Sequence, residues 1–254
     1  MRVPIGWLPR LLHRSTDRAV SIKGQSVLIE RRAGGAELPL TDVVAVEARP
    51  GLVWSSLTIR TKGGAVVRLE GLPHRHAQQF CGVIAVLKAV PAIQRAIQSF
   101  KAICERDGYL NHQTFLEWEA EHGGCANEIN IPLGPLPLED ELKATAGRFR
   151  TLVKDGPAVV ARRNDLYTQR LLTKHKDWFD TLERFPLTPR QREAIVHDED
   201  NCLVVAGAGT GKTSTVVGKV GFVLRLGHAK PEEILLLAFT QKAKTEMEER
   251  IKAV

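Results

Sequence analysis

Apolar positions change their spacing several times along the chain, and each change marks a new kind of element. Between residues 18 and about 72 the runs Val20 to Glu30, Glu37 to Val46 and Leu57 to Leu69 carry β-branched residues with stretches of alternation, interrupted at Gly34-Gly35, Pro50-Gly51 and Gly63-Gly64. Lys62-Gly63-Gly64 between two such runs predicts a hairpin. From Pro73 to Val90 the period turns helical, with Phe80, Val83, Ile84, Val86 and Leu87 mostly on one side, and it stays helical from Pro91 to about Glu121. Gly123-Gly124 and the proline-spaced run Ile131 to Leu138 have no period and predict an extended connector. Leu138, Leu142, Phe149 and Leu152 resume helical spacing until Asp155-Gly156-Pro157, which predicts a break. Val160, Tyr167, Leu171, Trp178 and Leu182 then form a near-heptad stripe, so two helices in an antiparallel hairpin are expected. Beyond residue 186, two short apolar runs, Leu203 to Val205 and Ile234 to Ala238, are each followed by a helical pattern, the order of a parallel α/β sheet.

Three regions follow from this pattern. Residues 1–90 are expected to form an α+β module, a small β-sheet closed by a C-terminal helix with a pleckstrin-homology-like shape, which by itself specifies no ligand. Trp54 reads there as a core residue rather than a base-stacking platform. Residues 91–185 are expected to be a helical linker region with the hairpin, and residues 186–254 the start of an α/β nucleotide-binding domain. The 254 residues allow one or two domains, and no internal repeat is present.

Charge adds a partner class. The net charge of +7 belongs to the N-terminal part: residues 1–90 carry 13 Lys and Arg against 6 Asp and Glu, whereas the remainder is balanced. Such a surface suits sequence-independent contact with a phosphate backbone, and equally a solvated positive face. No apolar run approaches the roughly 18 residues of a membrane span, and Pro4, Pro9, Arg2 and Arg10 interrupt any signal-peptide core, so a cytoplasmic protein without membrane partners is expected. The four cysteines, Cys81, Cys104, Cys125 and Cys202, lack metal-ligand spacing and read as reduced thiols.

The most specific chemistry is Ala206-Gly207-Ala208-Gly209-Thr210-Gly211-Lys212-Thr213, placed between an apolar run and a helix. This is the arrangement of a phosphate-binding P-loop. Gly207, Gly209 and Gly211 would let backbone N–H groups point at phosphate oxygens, Lys212 would reach the β- and γ-phosphates, and the Thr213 hydroxyl would ligate Mg²⁺. The helix opening at Lys212 offers its positive end to the same anion. Ala206 stands where the first glycine is usual, at a position that needs a small residue.

Flanking this loop are Pro186-Leu187-Thr188-Pro189-Arg190-Gln191-Arg192 and Ile234 to Ala243, running on to Met247, Arg250 and Ile251. With the loop they resemble the Q motif, motif I and motif Ia of superfamily 1 DNA helicases of the UvrD/Rep type. The resemblance implies that Gln191 hydrogen-bonds the adenine edge of ATP, that Phe239, Thr240, Gln241 and Lys242 line a path for single-stranded DNA, and that residues 186–254 begin a RecA-like domain. Lys244 departs from the alanine usual in that family. Towards the N-terminus, Asp17-Arg18-Ala19-Val20, Arg49 to Trp54 and Val67 to Gly71 are similar to the region peculiar to the DNA helicase IV group.

That resemblance also implies what lies outside these 254 residues. Phosphoryl transfer needs a carboxylate that holds Mg²⁺ and an arginine for the developing charge, which the family takes from motifs C-terminal to motif Ia. Glu246, Glu248 and Glu249 fall on a helix, not at a strand end. The expectation is therefore an N-terminal fragment of an ATP-dependent DNA helicase without ATPase turnover of its own, its missing motor part in the same or a separately encoded chain. A non-catalytic nucleotide- or DNA-binding protein regulating a full-length helicase is the alternative; a small-molecule kinase fits the flanks less well.

Overall fold

The computed structural model describes residues 1–5, 17–32, 34–207 and 209–253. The alternating region forms two antiparallel sheets where one was expected. β1 (Arg2–Pro4), β2 (Asp17–Lys23), β3 (Ser26–Arg31) and β4 (Gly34–Pro39) pair in sequence order, as do β5 (Val43–Pro50), β6 (Ser55–Thr61) and β7 (Val66–Leu72). The run Val20 to Glu30 is two strands because Gly24 turns the chain and sets Lys23 opposite Ser26. The run Glu37 to Val46 also divides, where Asp42 N–H donates to Pro39 O and the chain passes from the first sheet to the second. The hairpin at Lys62-Gly63-Gly64 forms as expected, with Thr61 N–H bonded to Ala65 O at 3.0 Å. Inward residues of both sheets, among them Val20, Ile29, Leu57, Ile59 and Leu69, share one core with Phe80 and Ile84 of α1 (His74–Glu105).

Two prolines lie inside helices, and the second was expected to break its helix. α1 runs through Pro91, and α4 (Asp140–Lys174) runs through Pro157, so the hairpin predicted at Asp155-Gly156-Pro157 is one continuous helix. The reason at the second site is packing: a Cβ on Gly156 would stand 2.3 Å from Phe115 Cε2, so the glycine serves a close ring contact instead of a turn. α1 is also long and apolar enough to cross a membrane by length and composition, which the sequence reading did not anticipate; part of its apolar surface, including Ala77, Phe80 and Ile84, is buried on the sheets.

Two compact units emerge, Met1–Lys101 with Trp118–Lys154, and Ala102–Glu117 with Asp155–Val254. In the first, α2 (His112–His122) contributes Trp118, whose indole N–H donates to Ala96 O at 3.1 Å and whose ring meets Phe100 edge-on at 5.0 Å. α3 (Gly124–Glu128) leads into the proline connector, whose Ile129 and Ile131 carbonyls accept from the Arg150 guanidinium. In the second unit Arg163 gathers the carbonyls of Cys104, Arg106 and Gly108 at 3.1, 2.5 and 2.6 Å. α5 (Lys176–Thr181), α6 (Pro189–Val196) and α7 (Lys212–Leu226) enclose Leu171, Phe179, Ile195 and Phe222. A short 3₁₀ turn (Pro231–Glu233) and α8 (Gln241–Lys252) complete the order.

Candidate nucleotide-binding site

The loop between residues 205 and 212 is held by its own polar groups. Gly209 and Gly211 adopt φ of +73° and +85°, a region that side chains rarely enter. Gly207 does not, and a Cβ there would make ordinary contact with Thr210, so the expectation that all three glycines are conformationally required holds for two. Ala208 lies outside the described residues. Thr210 Oγ1 donates to Gly207 O at 2.8 Å, and the Lys212 ammonium reaches Ala206 O at 3.1 Å and Gly207 O at 2.7 Å. The lysine thus folds back onto the loop's own carbonyls.

α7 begins at Lys212 with Gly211 as its cap, no capping side chain and no acidic residue in its first turn. Its first N–H groups and its dipole are therefore uncompensated by any carboxylate of the helix itself, the arrangement that favours an anion. Thr213 is half-buried at this end, and Thr215 is buried, its hydroxyl donating to Gly211 O. Gly218 lets α7 approach α6, since a Cβ there would lie 2.5 Å from Ile195 Cδ1. Among the described residues no group of three or more His, Cys, Asp or Glu could hold a metal, so a cation here would rely on Thr213 together with the nucleotide and water.

Gln191 sits on the loop. Thr188 caps α6 in a capping box, and the Gln191 amide closes it by accepting from Thr188 N–H at 2.8 Å. Its Nε2 donates to Thr210 O at 3.0 Å, so tightly that a Cβ on Gly211 would meet that nitrogen at 2.4 Å. One amide hydrogen and one lone pair of Gln191 are left for a further partner. Sequence reasoning assigned this side chain to the base and missed its bond to the loop, which depends on a backbone carbonyl that no motif displays.

The two apolar runs expected as parallel strands form no strand and pair with none among the described residues. Alternate side chains, Cys202 and Val204 of one and Ile234 and Leu236 of the other, line a cavity of about 420 Å³ whose far wall is α7. Leu203, Val205, Leu235 and Leu237 are exposed at 81–88%. The expected α/β sheet is thus not formed, because among the described residues neither segment has a neighbouring strand to complete its main-chain hydrogen bonds.

The residues expected to line a DNA path lie at the start of α8. Phe239 is fully exposed, Thr240 caps the helix by accepting from Ala243 N–H at 3.2 Å, and Gln241 and Lys242 are exposed on its first turn. Arg250, near the other end, donates to Ser214 Oγ at 2.8 Å and pairs with Glu183, fastening α8 to the first turn of α7. Residues 197–200 form a second anchor that motifs did not reveal. Glu199 and Asp200 accept from His112 N–H and Gln113 N–H, Asp198 lies 3.3 Å from Lys219 Nζ, and Tyr109 Oη is 3.2 Å from His197 Nδ1. Burial, with the nearby Glu199 carboxylate, pushes the Tyr109 phenol up to about 12.

Comparison with known proteins adds to this geometry. Residues 187–254 match the UvrD/REP helicase N-terminal domain, and residues 1–134 match the family described as DNA helicase IV / RNA helicase N terminal. Over 96% of its length the chain is 31% identical to DNA helicase IV of Escherichia coli (strain K12), of which it spans 37%. Shorter matches, 40% identical, are to a probable DNA helicase II homolog of Rickettsia conorii (27% of this chain, 10% of that protein) and to DNA helicase II of E. coli (26% and 9%). No solved structure matches. The family profile over residues 1–134, joined to the helicase profile over the phosphate-loop segment, means that the chain belongs to the DNA helicase IV group of UvrD/REP-type helicases.

Proposed function

We propose that this chain is the N-terminal part of an ATP-dependent DNA helicase, in which ATP bound at Ala206–Thr213 is hydrolysed to drive translocation along single-stranded DNA. The observation that carries the reading is the loop itself: left-handed Gly209 and Gly211, the Lys212 ammonium turned over the loop carbonyls, and an α7 N-terminus free of its own acids. When bound, ATP with Mg²⁺ supplies the phosphoryl group and its electrophilic activation. Lys212 exchanges its carbonyl contacts for phosphate oxygens, Thr213 offers its hydroxyl to the cation, and Gln191 uses its spare donor and acceptor on the adenine edge. Phe239, exposed beside Gln241 and Lys242, presents a ring on which a base can stack near cations.

In this reading residues 1–90 are a pleckstrin-homology-like module, residues 91–185 a helical linker and residues 186–254 the start of a RecA-like domain acting in the cytoplasm. The exposed Leu203, Val205, Leu235 and Leu237, on segments that pair with no strand among the described residues, support a motor completed by further strands. Glu246, Glu248 and Glu249 lie on α8, so the chain alone is expected to bind nucleotide without turning it over. Fluorescent ATP binding and steady-state ATPase, each with and without single-stranded DNA, test this. Binding abolished in Lys212→Ala, with no turnover in either protein, is expected. Absence of nucleotide binding would refute the site, and turnover abolished by Lys212→Ala would refute the need for a further motor part.

A further inference from the structure

β5 stands at the edge of its sheet, and the bonding of β6 fixes which of its main-chain groups are spare. Lys62 N–H donates to Asp42 O just beyond one end of β6, and Trp54 O accepts from Gly51 N–H just beyond the other, each at 2.8 Å. Even-numbered residues of the β6 segment therefore carry the bonds to β5. Val46 lies opposite Ile59 and Ala48 opposite Leu57, so antiparallel alternation turns the N–H and C=O of Val46 and Ala48 away from β6. Among the described residues those groups have no partner. The open stretch is bounded, because the Lys88 ammonium donates to Val44 O at 3.0 Å and Pro50 has no N–H. Residues 45–49 lie between, about 17 Å of strand. Trp54, read from sequence as a core residue, is half-buried.

Beside this stretch is a cavity of about 650 Å³. Val46 and Ala48 form one wall, α1 from Arg75 to Ala85 the second and the proline connector the third. The connector is fixed on α1: Gln79 Nε2 donates to Pro135 O at 2.8 Å, and a Cβ on Gly82 would stand 2.9 Å from Leu136 Cδ2. Among the described residues it makes no main-chain bond to β5, so it walls the edge without completing it. A cavity within the range of about 300–1,000 Å³ suits one short extended chain rather than the edge of a second copy's sheet. Donors and acceptors alternating along a strand match another main chain, not a phosphodiester backbone, which donates no hydrogen bond. Arg75 is the one charged residue on the cavity wall among the described residues, exposed and in no ion pair there. The one acid of β5, Glu47, is engaged by Arg49 and Arg60 at 3.6 and 3.5 Å.

We propose that the β5 edge and α1 form a binding site for an extended, acidic peptide segment of a partner protein. The segment adds as a strand on Val46 and Ala48, sets alternate apolar side chains into the cavity and places a carboxylate on Arg75. This site is independent of the nucleotide loop.

Fluorescence anisotropy of the whole chain with a labelled, end-capped peptide, Glu-Val-Thr-Val-Thr-Val-Glu, tests it; glutamate at both ends serves either strand direction. A peptide with lysine at both ends should bind about tenfold more weakly, the scale of one hydrogen bond to a charged group, and Arg75→Glu should reverse that preference. Methylating the backbone nitrogens of the valines or of the threonines should abolish binding in one set and spare it in the other, since only alternate residues bond to β5. Ala48→Pro removes an N–H that the sheet does not use, so melting should hold while peptide affinity falls about tenfold or more. Glu47→Pro removes a bond to β6 and should lower the melting temperature. No binding of the glutamate peptide at millimolar concentration, equal tolerance of both methylated sets, or an Arg75→Glu chain that still prefers glutamate would each overturn the proposal. Displacement of the peptide by single-stranded DNA, or a dimer dissolved by Ala48→Pro in place of peptide binding, would overturn it as well.

Discussion

Two glycines of α4, nine residues apart, should respond oppositely to the same substitution. Gly147 has no atom within 4 Å of where a Cβ would stand, so Gly147→Ala adds a better helix former at no steric cost. The gain is about 0.5–1 kcal/mol. Gly156 has the same propensity to gain, but its Cβ would lie 2.3 Å from Phe115 Cε2 and 2.8 Å from Cζ, where carbon atoms prefer about 3.5–4.0 Å. Phe115 is 4% exposed and its ring is rigid, so relief requires the helix or the ring to move, at about 1–3 kcal/mol. Gly156→Ala should therefore lie about 1–3 kcal/mol below Gly147→Ala, a separation of several degrees in melting temperature at about 2–4 °C per kcal/mol. Circular dichroism melts and urea titrations of both variants measure it. Phe115→Leu, added to each, should rescue Gly156→Ala and not Gly147→Ala, a coupling that a double-mutant cycle isolates. If Gly156→Ala is as stable as Gly147→Ala, the helix does not pass Phe115 as described, and Asp155-Gly156-Pro157 is the break its composition suggests.

Three other outcomes are expected. Among the described residues the buried His175 Nε2 has no hydrogen-bond partner, and burial, with Arg225 and Lys174 nearby, lowers its pKa below 6.5. The unfolded chain then binds this proton more readily, so stability is full above about pH 6.5 and falls as pH drops towards the folded pKa; melts from pH 8 to 5 should show this slope reduced in His175→Gln. Cys202 is exposed, whereas burial pushes the Cys81 thiol up to about 11, so a disulfide reagent at pH 8 should label Cys202 in the native chain and Cys81 after denaturation. Arg163→Lys should cost about 1.5–3 kcal/mol in urea unfolding, since a single ammonium cannot replace a planar fork shared by three carbonyls; a loss below about 0.5 kcal/mol would contradict that role.

What was legible in the sequence was local. The change from alternation to helical spacing near Pro73 and the glycine hairpin at residues 62–64 depend on neighbours a few residues apart, and both form. Pro157 misled because a proline removes one N–H and strains one turn, a loss that a long helix absorbs when tertiary contacts hold both sides. The Gly156–Phe115 contact that does so joins residues 41 positions apart and leaves no periodic trace. The division of the strands into two sheets was hidden for the same reason: alternation specifies which side faces a core, not which strand is the neighbour.

The nucleotide loop presents the opposite case, a site written clearly in sequence and built on supports that are not. Alternation at Cys202–Val205 and Ile234–Leu237 turns one side of each segment to α7 as a strand would, yet the free energy of a strand comes from cross-strand partners, and among the described residues these segments have none. Among the described residues no ladder holds the backbone leading into Ala206. The loop keeps its shape through Gln191 on Thr210 O, Thr210 on Gly207 O and Lys212 on Ala206 O and Gly207 O. A phosphate that draws Lys212 away removes two of those bonds, leaving Gln191 as the tie from α6 to the loop. In this chain Gln191→Ala should thus weaken binding of a triphosphate that carries no adenine, inorganic tripolyphosphate, as well as of ATP. Equal tripolyphosphate affinity in the two proteins would confine Gln191 to the base.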